Sequence, residues 1–101
     1  MQKVREVVEA NLTNEDFEVP ELGRALAMSR SQLFRKIKAL TGASPSVLIR
    51  TIRLQKSVEL LANMDLSISE IAYEVGFSAP TYFSTAFAEL FGKSPTEWRK
   101  R

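Results

Sequence analysis

The sequence predicts an all-α fold, in which seven helices form two helix-turn-helix subdomains joined by a long central helix. Apolar residues recur at helical spacing, and no segment alternates apolar and polar residues as a half-buried strand does. Apart from Gly23, proline and glycine occur only where the predicted helices begin and end. The third observation is an internal repeat of about 50 residues, which makes two copies of one helical unit.

Capping signals give the boundaries of the predicted helices. A serine followed three residues later by Gln or Glu forms a capping box, and a serine followed directly by proline also begins a helix. Glycine after the last apolar residue ends one. These signals predict helices from Gln2 to Leu12, from Pro20 to Ala27, from Ser29 to Gly42, from Pro45 to about Ala62, over a short segment after Ser67, from near Ser78 and Pro80 to Gly92, and over a short segment after Ser94.

The repeat has a specific register. In the longer helix of each unit, Leu33 and Ile37 correspond to Phe83 and Phe87 at an offset of 50 residues. The shorter helices match at an offset of 49, so the second unit has one more residue in its turn. A short helix, a turn and a longer helix are the layout of a helix-turn-helix. We therefore expect a single domain, 1–101, with a first unit at about 1–44, a linking helix at about 45–63 and a second unit at about 64–101.

The charged residues are unevenly distributed along the chain. The net charge is only +2, but no Asp or Glu occurs from Leu22 to Val58. This segment is either a solvated face that happens to lack acids or a surface for an anionic partner, and the helical phase of its cations decides between the two. Its cations are Arg24, Arg30, Arg35, Lys36, Lys38, Arg50, Arg53 and Lys56.

The third helix has the pattern of a DNA recognition helix. Such a helix buries one face on its own domain and presents the other to base edges in the major groove. The outward side of the third helix is polar and cationic, with Ser31, Arg35 and Lys38. Phe34 lies at the border, where it either joins the core or contacts a thymine methyl. The apolar side consists of Leu33, Ile37 and Leu40.

The sixth helix repeats this pattern with a different outward face. Its apolar residues also share one side, and the opposite side is small and uncharged. Ser84 lies at the border between the two sides. The apolar side consists of Phe83, Phe87 and Leu90, and the outward side of Thr81, Thr85 and Ala88.

The fourth helix is suited to hold the two units apart on DNA. At 1.5 Å per residue it spans roughly 27 Å, and successive major-groove sites on one face of B-DNA lie about 34 Å apart. Three cations at three-residue spacing share one side of it, and that side fits contact with phosphates. These cations are Arg50, Arg53 and Lys56, and they lie opposite an apolar set that includes Leu48, Ile52 and Leu61.

The composition excludes most catalytic chemistry. Because there are no cysteines, the sequence offers no thiolate zinc site and no disulfide, and because there are no histidines it lacks the commonest general base. The four glycines are too scattered for a phosphate-binding loop. We therefore expect no enzyme, metal or cofactor and, since no apolar run reaches 18 residues, a cytoplasmic protein without membrane contact. The aromatic residues at helical spacing are predicted to form core, namely Phe77, Phe83, Phe87, Phe91 and Trp98.

Two segments resemble the DNA-binding domain of the AraC/XylS family. They are MSRSQLFRKIKALTGASPSVLIRTIRL and ISEIAYEVGFSAPTYFSTAFAELFGKSPTEWR, and the resemblance covers essentially the whole chain. Members of this family are bacterial transcription regulators, mostly activators, in which each recognition helix enters the major groove. The resemblance therefore implies double-stranded DNA as the partner, a nucleoid-associated location, and contact with RNA polymerase as a second interaction.

The arrangement of the two units predicts how the domain binds, and one alternative function stays open. Because the two units are covalently linked and differ in sequence, we expect the isolated domain to bind an asymmetric site as a monomer. The alternative function is a small helical module that binds a partner protein through an apolar groove.

The resemblance also implies which residues contact DNA. Base contacts are expected from Ser31, Phe34 and Arg35 in the first unit and from Pro80, Thr81 and Thr85 in the second, and phosphate contacts from Ser29, Arg30, Lys38, Arg50 and Arg53.

Three features depart from the family pattern. Ala27 stands in the first turn where the family usually has glycine, as the second unit does at Gly76, so we expect slight strain there. Thr85 and Ala88 stand where the family often has Arg or Lys, which leaves the second recognition helix without its usual cations. Family members usually join this domain to a sensor or dimerisation domain. We therefore expect a C-terminal piece of a larger regulator, and the first residues are similar to hybrid two-component regulators.

Overall fold

The computed structural model describes residues 2–100, which contain seven helices and no strand. The predicted all-α class is confirmed. No helix in this part of the chain is long and apolar enough to cross a membrane. The helices are α1 (Gln2–Ala10), α2 (Val19–Ala25), α3 (Arg30–Thr41), α4 (Pro45–Leu61), α5 (Ile68–Glu74), α6 (Pro80–Phe91) and α7 (Pro95–Arg99).

The first two helices are shorter than predicted. α1 ends at Ala10 rather than at Leu12, because from Asn11 onward the amides bond to carbonyls three residues back, which tightens the chain out of α-helical geometry. α2 covers Val19–Ala25 and does not reach Ala27. The reason is the backbone of Ala27, whose φ of 55° is left-handed and cannot continue a right-handed helix.

The predicted serine caps are confirmed. The hydroxyl oxygens of Ser29, Ser67 and Ser94 accept hydrogen bonds of 3.0–3.2 Å from amides three residues further on, and the Gln or Glu side chains at those positions bond back to the serine amides. α6 differs, because its N-cap is Ala79, which offers no side-chain bond. Pro80 at its first helical position has no N–H, so this helix start has one amide donor fewer to satisfy.

α4 lies between two hydrophobic cores. Its N-terminal half packs through Leu48, Ile49 and Ile52 against α1, α2 and α3, whereas its C-terminal half packs through Leu54 and Leu61 against α5 and α6. Each helix-turn-helix unit therefore has a core of its own, and α4 belongs to both. The other buried members are Val4, Val8, Phe17, Leu22, Leu33 and Ile37 in the first core and Ile71, Ala72, Val75, Phe83 and Phe87 in the second.

Aromatic rings fill the second core, as predicted. Phe83 and Phe87 are fully buried, and Phe77, Phe91 and Trp98 pack half-buried against them. The rings meet edge to face, with centroids 5.4 Å apart for Phe77 and Phe83 and 5.7 Å apart for Phe87 and Trp98. Such pairs add about 0.5–1.5 kcal/mol each beyond the area that they bury. The aromatic set is therefore structural.

Two leucines that were placed on the apolar sides of the recognition helices are largely exposed. Leu40 is 54% exposed and Leu90 is 46% exposed, so the prediction that they lie on the buried sides was wrong. Each belongs to the last turn of its helix, which extends past the core that the preceding two turns cover. Leu40 lines a groove beside Lys3 of α1, and Leu90 lines one beside Val47 of α4.

Arg53 of α4 is buried and fully engaged inside the protein. It is only 3% exposed. Its Nη1 donates hydrogen bonds to the carbonyl oxygens of Leu12 at 2.8 Å and Val75 at 2.9 Å. Its Nη2 donates to those of Asn14 at 3.1 Å and Phe17 at 2.8 Å. The prediction that Arg53 contacts DNA phosphate was therefore wrong, because both Nη atoms bond within the fold and the side chain is shielded from outside partners.

The position of Arg53 on α4 explains its burial. It stands between Ile52, which belongs to the first core, and Leu54, which belongs to the second. Burial lowers the pKa of the guanidinium from its usual value, and the nearby carboxylate of Glu18 acts against that shift. A buried charge is tolerated only when it is hydrogen-bonded, and the four carbonyls meet this requirement.

The turns of the two units share a backbone conformation but not a neighbourhood. Both Ala27 and Gly76 have positive φ, of 55° and 88°. A Cβ on Gly76 would overlap the Arg53 guanidinium and the carbonyl oxygen of Leu12. Ala27 is exposed, so its methyl group meets solvent. The expected strain at Ala27 is confirmed by its left-handed φ, whereas glycine in the second turn is also required by packing.

Substitutions at these two positions are expected to have opposite effects on stability. Ala27→Gly should stabilise the domain by about 0.5–1 kcal/mol, because relief of the left-handed strain exceeds the added entropy of the unfolded chain. Gly76→Ala should destabilise it by about 2–4 kcal/mol, since strain and overlap with Arg53 add together. Urea unfolding of both variants measures the two changes. Equal shifts in one direction would show that the surroundings of the turns do not matter.

Stability is expected to fall in acid because of three capping boxes. Hydrogen bonds from the backbone amides at the starts of α2, α5 and α7 lower the pKa of Glu21, Glu70 and Glu97 below the usual value. Because the folded-state pKa is the lower one, this stabilisation is present above the unfolded-state pKa and is lost as the pH falls through the folded-state pKa. The difference in melting temperature between about pH 7 and about pH 3 should therefore be smaller in the double variant Glu70→Gln, Glu97→Gln than in the natural protein.

The start of α3 supplies a matched control for this pH dependence. Its capping box uses Gln32, whose amide does not titrate. Gln32→Glu should therefore enlarge the melting difference between the two pH values. If all these proteins lose the same number of degrees in acid, the capping carboxylates do not cause the loss.

Candidate nucleic-acid interface

α3 presents a polar and cationic face to solvent. Its buried residues are Leu33 and Ile37, and the predicted outward residues Ser31, Arg35 and Lys38 are all exposed. The capping box at Ser29 and the left-handed Gly42 fix the two ends of this helix. The face therefore lies on a well-defined rigid element.

The position of Phe34, which the sequence left open, is on the surface. Its side chain is 48% exposed, and it lines a shallow depression together with Arg30, Ser31 and Arg35. An aromatic ring flanked by two guanidinium groups and a hydroxyl combines an apolar contact for a thymine methyl with donors for base edges and phosphates. Three of the predicted base-contacting residues thus lie side by side at the N-terminal half of α3.

The cations of this face have no internal ion pair. Within residues 2–100, the salt bridges involve Arg5, Arg24 and Lys56, and none involves Arg30, Arg35 or Lys38. Arg24, which also belongs to the acid-free segment, pairs with Glu21 at 2.9 Å. The positive charge available to an anionic partner is therefore concentrated on α3.

α6 presents a smaller and uncharged face. Thr81 and Thr85 are exposed as predicted, and Pro80 is half-buried at the first helical position. Ala88 is also only partly exposed, so the outward face is narrower than the helical phase suggested. Small hydroxyl and methyl groups fit hydrogen bonding and apolar contact with bases, without charge-assisted bonds.

Tyr82 is a candidate that the sequence reasoning missed. It is 65% exposed and follows Thr81 directly on α6. The corresponding residue of α3, at the repeat offset of 50, is Gln32, which belongs to a capping box and gives no hint of a binding role. The signal that was available is the residue type itself, since a tyrosine outside the apolar side of a surface helix exposes a large ring and a hydroxyl.

Of the three basic residues on α4, only Arg50 faces solvent without a partner in the described chain. Lys56 lies 3.9 Å from Glu9 of α1 and 3.5 Å from Glu59, and Arg53 is buried. α4 therefore carries one cation suited to phosphate contact instead of a row of three.

The acid-free segment has acidic neighbours in space. A cleft of about 270 Å³ runs between the two units beside α4, and Glu15, Glu18 and Arg50 are among its lining residues. Both carboxylates come from the segment that connects α1 and α2, which the linear charge pattern does not place near Arg50. They reduce the positive potential in the cleft and leave α3 as the main cationic surface.

The overall dimensions suit contact with two successive grooves. The molecule measures 41 × 23 × 22 Å, and its long dimension exceeds the repeat of about 34 Å between major-groove sites on one face of B-DNA. No group of three or more His, Cys, Asp or Glu side chains within residues 2–100 is arranged to hold a metal ion. The chemistry on offer is hydrogen bonding, apolar contact and charge.

Known proteins share this sequence and fold. A family described as helix-turn-helix domain matches residues 22–101. Histidine kinase P4 of Formosa agariphila is 40% identical over 101 residues, which is 100% of this chain and 7% of that protein. The HTH-type transcriptional activator RhaS of Escherichia coli is 36% identical over 74 residues, or 73% of this chain and 27% of that protein. The DNA-binding domain of AdpA, a global transcriptional factor in complex with a target DNA, is 29% identical with a TM-score of 0.88 over 98% of this chain and 88% of that one.

The match to the family covers most of the chain, from within α2 to residue 101, and includes both α3 and α6. The chain spans less than a third of the length of either curated relative. The two-unit architecture around α4 is the one shared with the DNA-binding domain of AdpA. This chain belongs to the AraC/XylS family of helix-turn-helix DNA-binding domains.

Proposed function

We propose that this domain binds double-stranded DNA at specific sequences for transcription regulation, with α3 and α6 in successive major grooves. The observation that carries the proposal is the exposed face of α3, whose arginines and lysine have no ion-pair partner in residues 2–100. The target DNA bound by the similar domain of AdpA supports it.

The base contacts of the first unit come from Ser31, Phe34 and Arg35. Arg35 offers two parallel N–H donors, which match the O6 and N7 acceptors of guanine. Ser31 bonds either to a base edge or to a phosphate, and the exposed ring of Phe34 suits the methyl group of thymine. Their common position on one depression supports a joint contact with neighbouring base pairs.

The phosphate contacts come from residues around this face. Arg30, Lys38 and Arg50 supply charge, and all three are exposed. The hydroxyl oxygen of Ser29 accepts the amide of Gln32, which leaves its own proton to donate to a phosphate oxygen. Arg53 does not belong to this set, because it is buried.

The second unit contributes uncharged contacts through Pro80, Thr81 and Thr85. The exposed hydroxyl groups of the two threonines hydrogen-bond to base edges, and their methyl groups and the proline ring provide apolar contact. We add Tyr82 as a phosphate contact, because its exposed ring directly follows Thr81.

We extend the proposal to the parent protein on the strength of its relatives. The activator RhaS supports a role in transcription activation, with RNA polymerase as a protein partner, and the histidine kinase from Formosa agariphila supports a place in two-component signalling. Two linked and unequal units support an isolated domain that binds an asymmetric site as a monomer.

DNA binding is expected to weaken steeply with salt. Each phosphate contact makes the slope of log affinity against log salt more negative by about 0.9. The three contacts of Arg30, Lys38 and Arg50 therefore predict a slope of about −3. A binding site is first selected from random DNA with this domain, and titration of that selected duplex at several salt concentrations measures the slope. A helical protein-interaction module would bind its partner through an apolar groove with little change in salt, and a flat titration would support that alternative.

A matched pair of lysines tests the phosphate assignment. Lys38→Ala should reduce the salt slope by about one unit and weaken all duplexes similarly. Lys36→Ala should leave the slope unchanged, because Lys36 lines the groove beside Lys3 and Leu40 instead of the DNA-facing side. A change of slope in the Lys36 variant alone would reverse the assignment of the two sides of α3.

The two recognition helices are expected to contribute unequally. Arg35→Ala should cost about 1–3 kcal/mol on the preferred site and relax base preference at one position, as loss of a bidentate contact does. Thr85→Ala should change base choice more than overall affinity, since it removes no charge. Titration of both variants on selected and scrambled duplexes compares them. A larger affinity loss from Thr85→Ala would make the second unit the dominant one.

A further inference from the structure

We infer that Arg53 fixes the orientation of the first helix-turn-helix unit relative to the second, and thereby sets the spacing of half-sites that the domain accepts on DNA. This inference rests on the proposed DNA binding. Arg53 acts as a positioning residue, because it is buried and donates its hydrogen bonds to carbonyls within the fold.

The acceptors of Arg53 come from both units. Leu12, Asn14 and Phe17 follow α1 in the first unit, and Val75 ends α5 in the second. One rigid guanidinium plane thus bonds to two chain segments that are 58 or more residues apart in the sequence, as Val75 and Phe17 are. The bonds fix distances and also directions, since N–H donors of a planar fork weaken steeply when they are misaligned.

Other contact between the units is sparse. Each unit has its own core, and the two cores meet mainly through α4, with Leu12 packed against the second one. Beside α4 the units are separated by the cleft of about 270 Å³, which Glu15 and Glu18 line from one side and Phe77 and Ser78 from the other. Without the four Arg53 bonds, bending or twisting of α4 would meet little resistance from this side.

The turn of the second unit is shaped around the guanidinium. At Gly76 a Cβ would overlap Arg53 and the carbonyl of Leu12, so the first-unit carbonyl, the guanidinium and the second turn form one close-packed layer. The guanidinium and the Leu12 carbonyl in this layer are the same groups that hydrogen-bond to each other. The corresponding position in the first unit, Ala27, has no comparable neighbour within the fold.

Rigid orientation has a consequence for DNA binding. One inserted base pair shifts a half-site by about 3.4 Å along the axis and turns it by about 34°, given about 10.5 base pairs per turn. A domain with fixed units then loses the contacts of one unit, whereas a flexible domain reorients and keeps both. Two linked units gain affinity only when both bind their half-sites at once. The loss of affinity on a duplex with altered spacing therefore measures how rigidly the two units are held.

The test compares spacing penalties of the full chain and its Arg53 variants. Arg53→Lys keeps the charge but loses the planar fork, and Arg53→Met keeps the volume without donors. Duplexes with one base pair inserted or removed between half-sites should weaken binding of the natural protein by more than about tenfold, and of the folded Arg53 variants by less than about threefold. On a duplex whose second half-site is scrambled, the affinities of the natural protein and of the folded Arg53 variants should differ by less than about twofold.

A matched control separates this role from a general loss of charge on α4. Lys56→Met removes a cation that pairs with Glu9 of α1 and has no bond to the second unit, so it should keep the full spacing penalty. Folded Arg53 variants that retain the natural spacing penalty would overturn the inference. Melting curves and helix content establish which variants are folded.

A second measurement does not depend on DNA. The chain contains no cysteine, so Ala39→Cys on α3 and Glu89→Cys on α6 place two spin labels at exposed positions. The distance distribution should be narrow in the otherwise natural protein and broader in the Arg53 variants. A broad distribution in the otherwise natural protein overturns the inference even if every Arg53 variant unfolds. Absence of binding to any selected duplex would count against the proposed function, while the label distances would still test the orientation.

Discussion

Burial of one guanidinium group is the constraint on which the arrangement of the two units depends. Removing an ionised side chain from water costs several kcal/mol unless its donors find partners, and a variant that leaves it unsatisfied loses about 3–5 kcal/mol. The carbonyls around Arg53 meet this demand only if the end of α1, the following segment and the end of α5 converge on one point. The path of the chain on either side of α4 is thus tied to a single side chain.

The repeat in the sequence predicts the helices and the two units, and the caps place most helix ends within a residue or two. The repeat does not predict whether a cation is buried or exposed on a helix that packs against two cores. A helical wheel assigns one apolar side, but α4 has one for each unit, and Arg53 lies where they meet, between Ile52 and Leu54. The proximity of Glu15 and Glu18 to Arg50 likewise depends on the tertiary path of the α1–α2 segment. Helical phase did identify Arg35, Lys38 and Thr85 as exposed.

The two turns show how a repeated unit becomes specialised by its surroundings. Both require a left-handed residue, and in isolation glycine would serve equally well in either. Only the second turn packs against Arg53, so only there does the absence of a side chain matter for packing. The first turn faces solvent and tolerates alanine at the cost of backbone strain alone. Sequence symmetry therefore overstates the structural symmetry of the units.

This asymmetry extends to the charges and determines what the second unit needs in order to contribute. Its Arg99 is engaged within the fold, where it donates to the carbonyls of Leu61 and Asn63 at the end of α4. α6 carries no cation at all, and its Glu89 is exposed. Weak, uncharged contacts of this kind add affinity only if they form without a further loss of orientational freedom. In the proposed complex with DNA, a cationic first unit tolerates a less precise orientation than an uncharged second unit does. Precise orientation through Arg53 is thus most valuable for the helix with the least charge.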